Sequence, residues 1–397
     1  VTRGRLLGAL LLVAVATSVG ARVGAAGPLR LRADALTQTQ APVGLLVLGG
    51  DVGQPGERFS AEAMIWLGAG DDEVMGDALI IALIARRADG RAEARLGRLI
   101  TSTGALRPLH LDGLAGRARL PHRIDVDAFA GVPVAPRLGA AAWDWAAGAR
   151  LGRRLGDWGG VGVAALERRS AGRLEARELG LDGSAALGRL DVSGRAAFDL
   201  SDPALADLQL ALARRWRAVR AEVRAERRLP SHLLPATSLF TVLGDVASER
   251  VGAAVRWRAA PRLDLLADVG ARRVAGPIED DGATEADGVA RATLRLDDAG
   301  AGAVVGELRR TGAVSGGWTG ARLAARLPHG RWRASVEAEL VRPDEDRGRG
   351  TLWPWAMAAL GWTGAGWDGA LAIEGGATPS ERSRVEVLAL LGRRWTP

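Results

Sequence analysis

Residues 331–341 read Arg-Trp-Arg-Ala-Ser-Val-Glu-Ala-Glu-Leu-Val, polar and apolar side chains taking turns along the chain. On an extended strand this period of two places Arg331, Arg333, Ser335, Glu337 and Glu339 on one face. Trp332, Ala334, Val336, Ala338 and Leu340 fall on the other. Residues 219–228 repeat the pattern, with Val219, Ala221, Val223 and Ala225 against Arg220, Glu222, Arg224 and Glu226. In residues 192–200, Val192, Ala196, Phe198 and Leu200 oppose Ser193, Arg195 and Asp199. Residues 204–228 are rich in good helix formers, but the alternation from 219 onward would spread charge all round a helix and leave no apolar stripe. Strand is the reading that buries something.

Further strands are expected at 29–35, 43–49, 59–67, 78–87, 91–101, 124–131, 251–258, 263–271, 290–297, 301–310, 318–327, 353–361, 367–374 and 385–395. Asp89-Gly90 between two such runs is a strong hairpin signal. Residues 102–123 are turn-rich and read as one long loop. At ~10 residues per strand and a similar length for each connection, the chain holds roughly 16 to 18 strands. No fixed repeat runs through it, which argues against propellers and solenoids.

The first residues have a different texture. Arg3 and Arg5 precede an apolar run from Leu6 to Ala16, and small residues follow around Gly20, Ala21 and Ala26. That order is expected of a secretory leader spanning residues 1–21, cleaved after Ala21, with 22–397 as the folded body. Beyond it no apolar run approaches the ~18 to 20 residues that cross a bilayer as a helix. An exported chain of such strands is therefore expected to meet a membrane as a closed sheet, since only helices and closed sheets satisfy the backbone in lipid.

Composition narrows the field. With 48% hydrophobic and 25% charged residues, the 397-residue chain is made to fold. All 53 bases are arginine, interleaved with 46 acids, so the net charge of +7 is not clustered as nucleic-acid binding requires. Cysteine is absent, which excludes disulfides, thiol chemistry and thiolate-bound metals. The four histidines, His110, His122, His232 and His329, fall in expected loops or turns, and no nucleophile–base pair can be assembled around them. His110 with Asp112 supplies only two ligands, too few for a metal site. No catalysis and no cofactor are expected.

Tryptophans 143, 145, 158, 216, 257, 318, 332, 353, 355, 362, 367 and 395 lie mostly near expected strand ends. An amphipathic ring fits the headgroup level of a membrane. The chain also nearly ends in an alternating strand closed by Trp395, with Thr396 and Pro397 beyond it. Together with the leader, these features make the chain resemble the porin-like β-barrels of the Gram-negative outer membrane. Gly97-Arg98, Gly104, Arg107, Asp112-Gly113 and Asp127-Ala-Phe129 resemble a stretch of the alginate-export-type barrels. The resemblance implies an outer-membrane location, contact with outer-membrane lipid and insertion by the barrel-assembly machinery. It leaves a homo-oligomer open and names no solute.

The resulting expectation is an all-β protein, a single antiparallel transmembrane β-barrel. Arg220, Glu222, Arg224, Glu226, Arg331, Arg333, Glu337 and Glu339 would line its lumen and pass small hydrophilic solutes. Near-balanced charge predicts weak ion selectivity. Residues 102–123 are expected either to fold inward as a constriction, with Arg107 and Asp112 as opposed charges, or to stay a surface loop with no role in a channel. The competing readings are a secreted soluble β-sandwich that binds a partner and a barrel that conducts nothing.

Overall fold

The computed structural model describes residues 29–38, 44–52, 58–70, 73–134, 144–229, 247–274, 283–312, 316–344, 352–377 and 383–395. The expected leader at 1–21, Trp143 and His232 lie outside them. Among the described residues twenty-two strands form one sheet. In chain order they are β1 (Leu29–Gln38), β2 (Gly44–Val52), β3 (Phe59–Gly70), β4 (Glu73–Arg86), β5 (Ala92–Thr101), β6 (Leu109–Leu120), β7 (Ile124–Pro133) and β8 (Trp145–Leu155). There follow β9 (Gly159–Ser170), β10 (Arg173–Leu187), β11 (Leu190–Asp199), β12 (Ala204–Trp216), β13 (Val219–Arg228), β14 (Ser248–Ala260) and β15 (Leu263–Val274). The last are β16 (Ala283–Arg295), β17 (Ala303–Thr311), β18 (Trp318–His329), β19 (Trp332–Pro343), β20 (Trp353–Gly364), β21 (Trp367–Gly376) and β22 (Arg384–Trp395).

The chain divides into two compact units. Val1–Ile84, Thr293–Leu308 and Thr319–Pro397 make the first, and Ala85–Ala292 with Arg309–Trp318 the second. In the first unit β1 pairs antiparallel with both β2 and β22, so the first and last strands close the sheet. In the second, β5 to β15 pair antiparallel in sequence order. The protein is a closed antiparallel β-barrel. Closure leaves no edge strand with unpaired backbone groups. A β-sandwich is thereby excluded.

The strand number exceeds the roughly 16 to 18 expected at ~10 residues per connection. The cause is short turns: 171–172, 188–189, 217–218, 261–262, 330–331 and 365–366 join strands directly. Gly90 adopts a left-handed φ of 66° in the Asp89-Gly90 turn, as that dipeptide predicts. Residues 102–123 are not one loop. Only 102–108 is irregular, and β6 occupies most of the rest, pairing Leu99 with Leu111 and Ala115 with Phe129.

Register separates the two faces. Arg195 pairs with Gln209, Gln209 with Glu226, and Glu226 with Arg250, so polar side chains continue strand to strand across one face. The other face carries Leu181, Leu210, Leu212, Val223, Val251 and Val269 in mid-strand. These aliphatics are exposed, Val251 and Val269 at 59%, rather than packed in a protein core. Moving one such side chain from water to an apolar surrounding is worth about 1.5–3 kcal/mol, so a face made of them calls for an apolar cover.

Candidate pore face

Within the second unit, arginines on the polar face are held by acids two strands away. Arg150 of β8 donates from Nε to Asp182 of β10 at 2.9 Å and from Nη2 at 2.6 Å. Arg224 of β13 reaches Asp268 of β15 at 2.7 Å, and Arg250 of β14 reaches Asp287 of β16. Each bridge passes over a glycine on the intervening strand. A Cβ at Gly252 would lie 3.4 Å from Arg224 Nε, and one at Gly270 would lie 3.0 Å from both Arg250 Nε and Asp287 Oδ1. At Gly162 a Cβ would run into the Arg150 guanidinium. The first unit shows a related arrangement around Gly392 of β22. It pairs with both Asp34 and Asp368, and Arg32 lies 3.6 Å from Asp368. Charge-assisted bonds of this kind fix the long arginines against the wall.

Nearer the β5 end the same face turns apolar. Leu99, Leu111, Ala115, Phe129, Ala146, Ala164 and Leu166 form a buried pad with Leu106 and Leu109. The cover is the segment joining β5 to β6. Leu106 and Ala105 fit against Gly180, where a Cβ would stand 3.1 Å from Leu106 Cδ2. Gly104 has a φ of +58° and abuts Arg150 and Asp182, so both its backbone and its contacts require the missing side chain. Arg107 is then delivered to Glu178 of β10, a carboxylate only 1% exposed.

The expected site residues distribute as follows. Arg220, Glu222, Arg224 and Glu226 share the polar face of β13, opposite the exposed Val223, and Arg220 donates to Glu222 at 3.1 Å. On β19, Glu337 accepts from Arg322 of β18 at 2.6 Å. Glu339 shares its face, opposite the exposed Val336 and Leu340, as does the exposed Arg333. Arg331 falls in the turn before β19 rather than within the strand.

Arg107 and Asp112 do not oppose each other. Asp112 lies on the aliphatic face of β6 with the exposed Leu114, bound to Arg98 at 2.8 and 2.9 Å. The expectation fails because Asp112 belongs to a strand, where an even position points away from Leu111, Gly113 and Ala115. His110 is on β6 too, not in a loop, and His122 is in the tight turn Pro121–Arg123. Among the described residues no three His, Asp or Glu side chains converge on a metal site. Sequence reasoning missed Arg150, Asp182, Arg250, Asp268 and Asp287. Their signal was a glycine facing each bridge, invisible without the register.

Aromatics mark strand ends on the aliphatic side. The Arg169 guanidinium stands 5.7 Å from the Trp145 ring at the start of β8, and Arg214 stands 5.1 Å from Trp216 at the end of β12. In the first unit Arg393 lies 4.5 Å from Trp367 and 5.6 Å from Trp395. A ring with a cation over it suits the boundary between lipid and water.

No protein-family model and no curated protein matches the chain. Solved structures do. The translocation pore of the P pilus usher PapC matches over 93% of this chain and 99% of its own, with a TM-score of 0.52 and 11% identity. The shared fold is a closed β-barrel. A chain of the E. coli P pilus tip assembly intermediate PapC-PapD-PapK-PapG matches over 94% of this chain and 62% of its own, with a TM-score of 0.56 and 9% identity. At such identities the likeness concerns the fold alone. What this barrel does rests on its own residues.

Proposed function

We propose that this protein is an outer-membrane channel passing small hydrophilic solutes by diffusion along a lumen of mixed charge. The observation that carries this reading is the division of the sheet. One face holds the bridges Arg150–Asp182, Arg224–Asp268 and Arg250–Asp287, and the other holds exposed Leu and Val in mid-strand. Charged side chains facing lipid at the bilayer midplane cost about 2–4 kcal/mol each, so the charged face belongs to water. Arg220, Glu222, Arg224, Glu226, Arg333, Glu337 and Glu339 line the lumen on this reading, and Arg331 stands at its rim.

Connection lengths supply an orientation. Those after β8, β10, β12, β14, β18 and β20 are tight turns, whereas the long ones all follow odd-numbered strands, those after β7, β13, β15 and β19 spanning 134–144, 229–247, 275–282 and 344–352, with a two-residue turn after β9 on that side as well. Outer-membrane barrels keep short turns on the periplasmic side and long loops outside, which puts the entrance at the long-loop end. Segment 102–108 enters from that end and narrows the pore beside Arg150. A leader at 1–21 would supply the export that this location requires, and the barrel-assembly machinery the insertion.

Arginines bonded to acids leave little excess of either sign, so the channel discriminates weakly between anions and cations. The test is single-channel recording in planar bilayers with a salt gradient. Ohmic steps with a reversal potential near zero are expected. A correctly folded barrel that shows no steps would establish a non-conducting barrel in place of a channel.

A further inference from the structure

We propose that the cleft between β12 and β17 in the second unit is a binding site for zwitterionic solutes, small molecules carrying both a carboxylate and an ammonium, such as short peptides. The inference rests on the channel reading for its route of access and goes beyond it in naming a solute class.

The cleft has a volume of about 560 Å³, and its charged wall includes Glu226, Arg228, Arg250, Arg272, Glu285 and Asp287. That volume falls in the range of small-molecule sites, about 300–1,000 Å³. Two of the six are committed to each other, since Arg250 donates to Asp287. The other four differ from their neighbours on this face. The side chains of Arg228, Arg272, Glu226 and Glu285 make no hydrogen bond or salt bridge among the described residues, although Arg228 stands opposite Asp207 and the bridges beside them are closed. Charged groups left open in a cleft are what a charged solute needs.

Register shows why the protein itself does not satisfy them. Arg250 pairs directly with Arg272, and like charges opposite each other on adjacent strands destabilise a sheet. Arg250 Nε is buried without a hydrogen-bond partner. A carboxylate seated between these guanidiniums would relieve both conditions. On the other side Arg250 pairs with Glu226, so Glu226 and Arg272 stand two strands apart at one level. That is about 10 Å between backbones, a span that a short dipolar molecule fills once both side chains lean in. Four bases and three acids line the cleft, and Arg227 is already bound to Glu249 outside it at 2.8 Å, so the remaining three bases and three acids balance, counting the Arg250–Asp287 pair. A simple anion would leave Glu226 and Glu285 unmatched, and a simple cation would leave Arg228 and Arg272.

The experiment compares glycylglycine with N-acetylglycine, which keeps the carboxylate but lacks the ammonium. Binding to the detergent-solubilised full-length barrel is measured by calorimetry, and permeation by swelling of proteoliposomes against an uncharged pentose. Glycylglycine should bind about tenfold more tightly than N-acetylglycine, the scale of one charge-assisted contact. Glu226→Gln should bring that ratio toward one, and Arg272→Gln should weaken both ligands, each variant being checked for heat-modifiable migration on gels. Equal binding of the two ligands to the unmodified protein, or binding of neither, would overturn the proposal. Selective binding without permeation of pentose or peptide would sustain the site while refuting the channel. Pentose permeation without selective binding would do the reverse.

Discussion

The polar face of the second unit solves one problem in two ways. From β11 to β16 it is open, and its charges are tied down by bridges over glycine, as in Arg224–Asp268 and Arg250–Asp287. From β5 to β9 it is covered by residues 103–106, and the same face carries Leu99, Leu111, Phe129 and Leu166. The difference shows that inward and outward are not synonyms for polar and apolar in a barrel. A side chain is chosen for what lies over it. Where no described segment lies over the wall the chain places paired charge, and where one does the chain builds a small core. The charge pair made by the covering segment itself, Arg107–Glu178, is correspondingly the most buried of the ion pairs described.

The largest expected effect breaks the covered region. Arg107→Ala leaves Glu178 buried without its hydrogen-bonded counter-charge, which should cost about 3–5 kcal/mol in urea unfolding of the reconstituted barrel. Replacing both, as Arg107→Met with Glu178→Leu, should recover most of that loss, because apolar partners of similar volume need no desolvation. A loss below about 1 kcal/mol for the single variant would mean that water reaches Glu178 and that the cover is not closed.

Next in size is the contrast between faces in the open region. Val223→Arg puts a charge on the aliphatic face in mid-strand and should cost about 2–4 kcal/mol in a bilayer. Gln209→Arg, on the polar face, should stay within about 0.5 kcal/mol. Equal penalties would mean that both faces meet the same medium. The smallest effect belongs to an open bridge. Removing Arg224 and Asp268 together should change stability by about 1 kcal/mol or less, since both are partly solvated.

Much of this was legible in the sequence. Alternation in residues 192–199, 219–228 and 332–341 assigned the faces of β11, β13 and β19 correctly, because a charged residue beside a Val or Leu leaves little choice of side, while Leu200 and Arg331 fall in turns. β12 is a strand despite helix-forming residues, since Leu208, Leu210 and Leu212 alternate with Gln209, Ala211 and Ala213. Legibility failed where contrast was low. β6 carries Leu111, Ala115 and Leu114 on opposite faces, and with Gly113 and Gly116 it reads as a loop. Arg107 and Glu178 are separated by 71 positions, and nothing local announces their contact. The bridges were hidden for the same reason, as each needs three strands in register.

The central claim is that the arginine-rich face meets water and the aliphatic face meets lipid. Because the chain contains no cysteine, single cysteines can be introduced without background. The decisive measurement is labelling of Glu226→Cys and Val223→Cys, in intact proteoliposomes, by a charged thiol reagent that does not cross membranes. The account predicts rapid modification at 226 and protection at 223, with a spin label at 223 relaxed by lipid-dissolved oxygen. Modification at 223 with protection at 226, or equal rates at both, would contradict it.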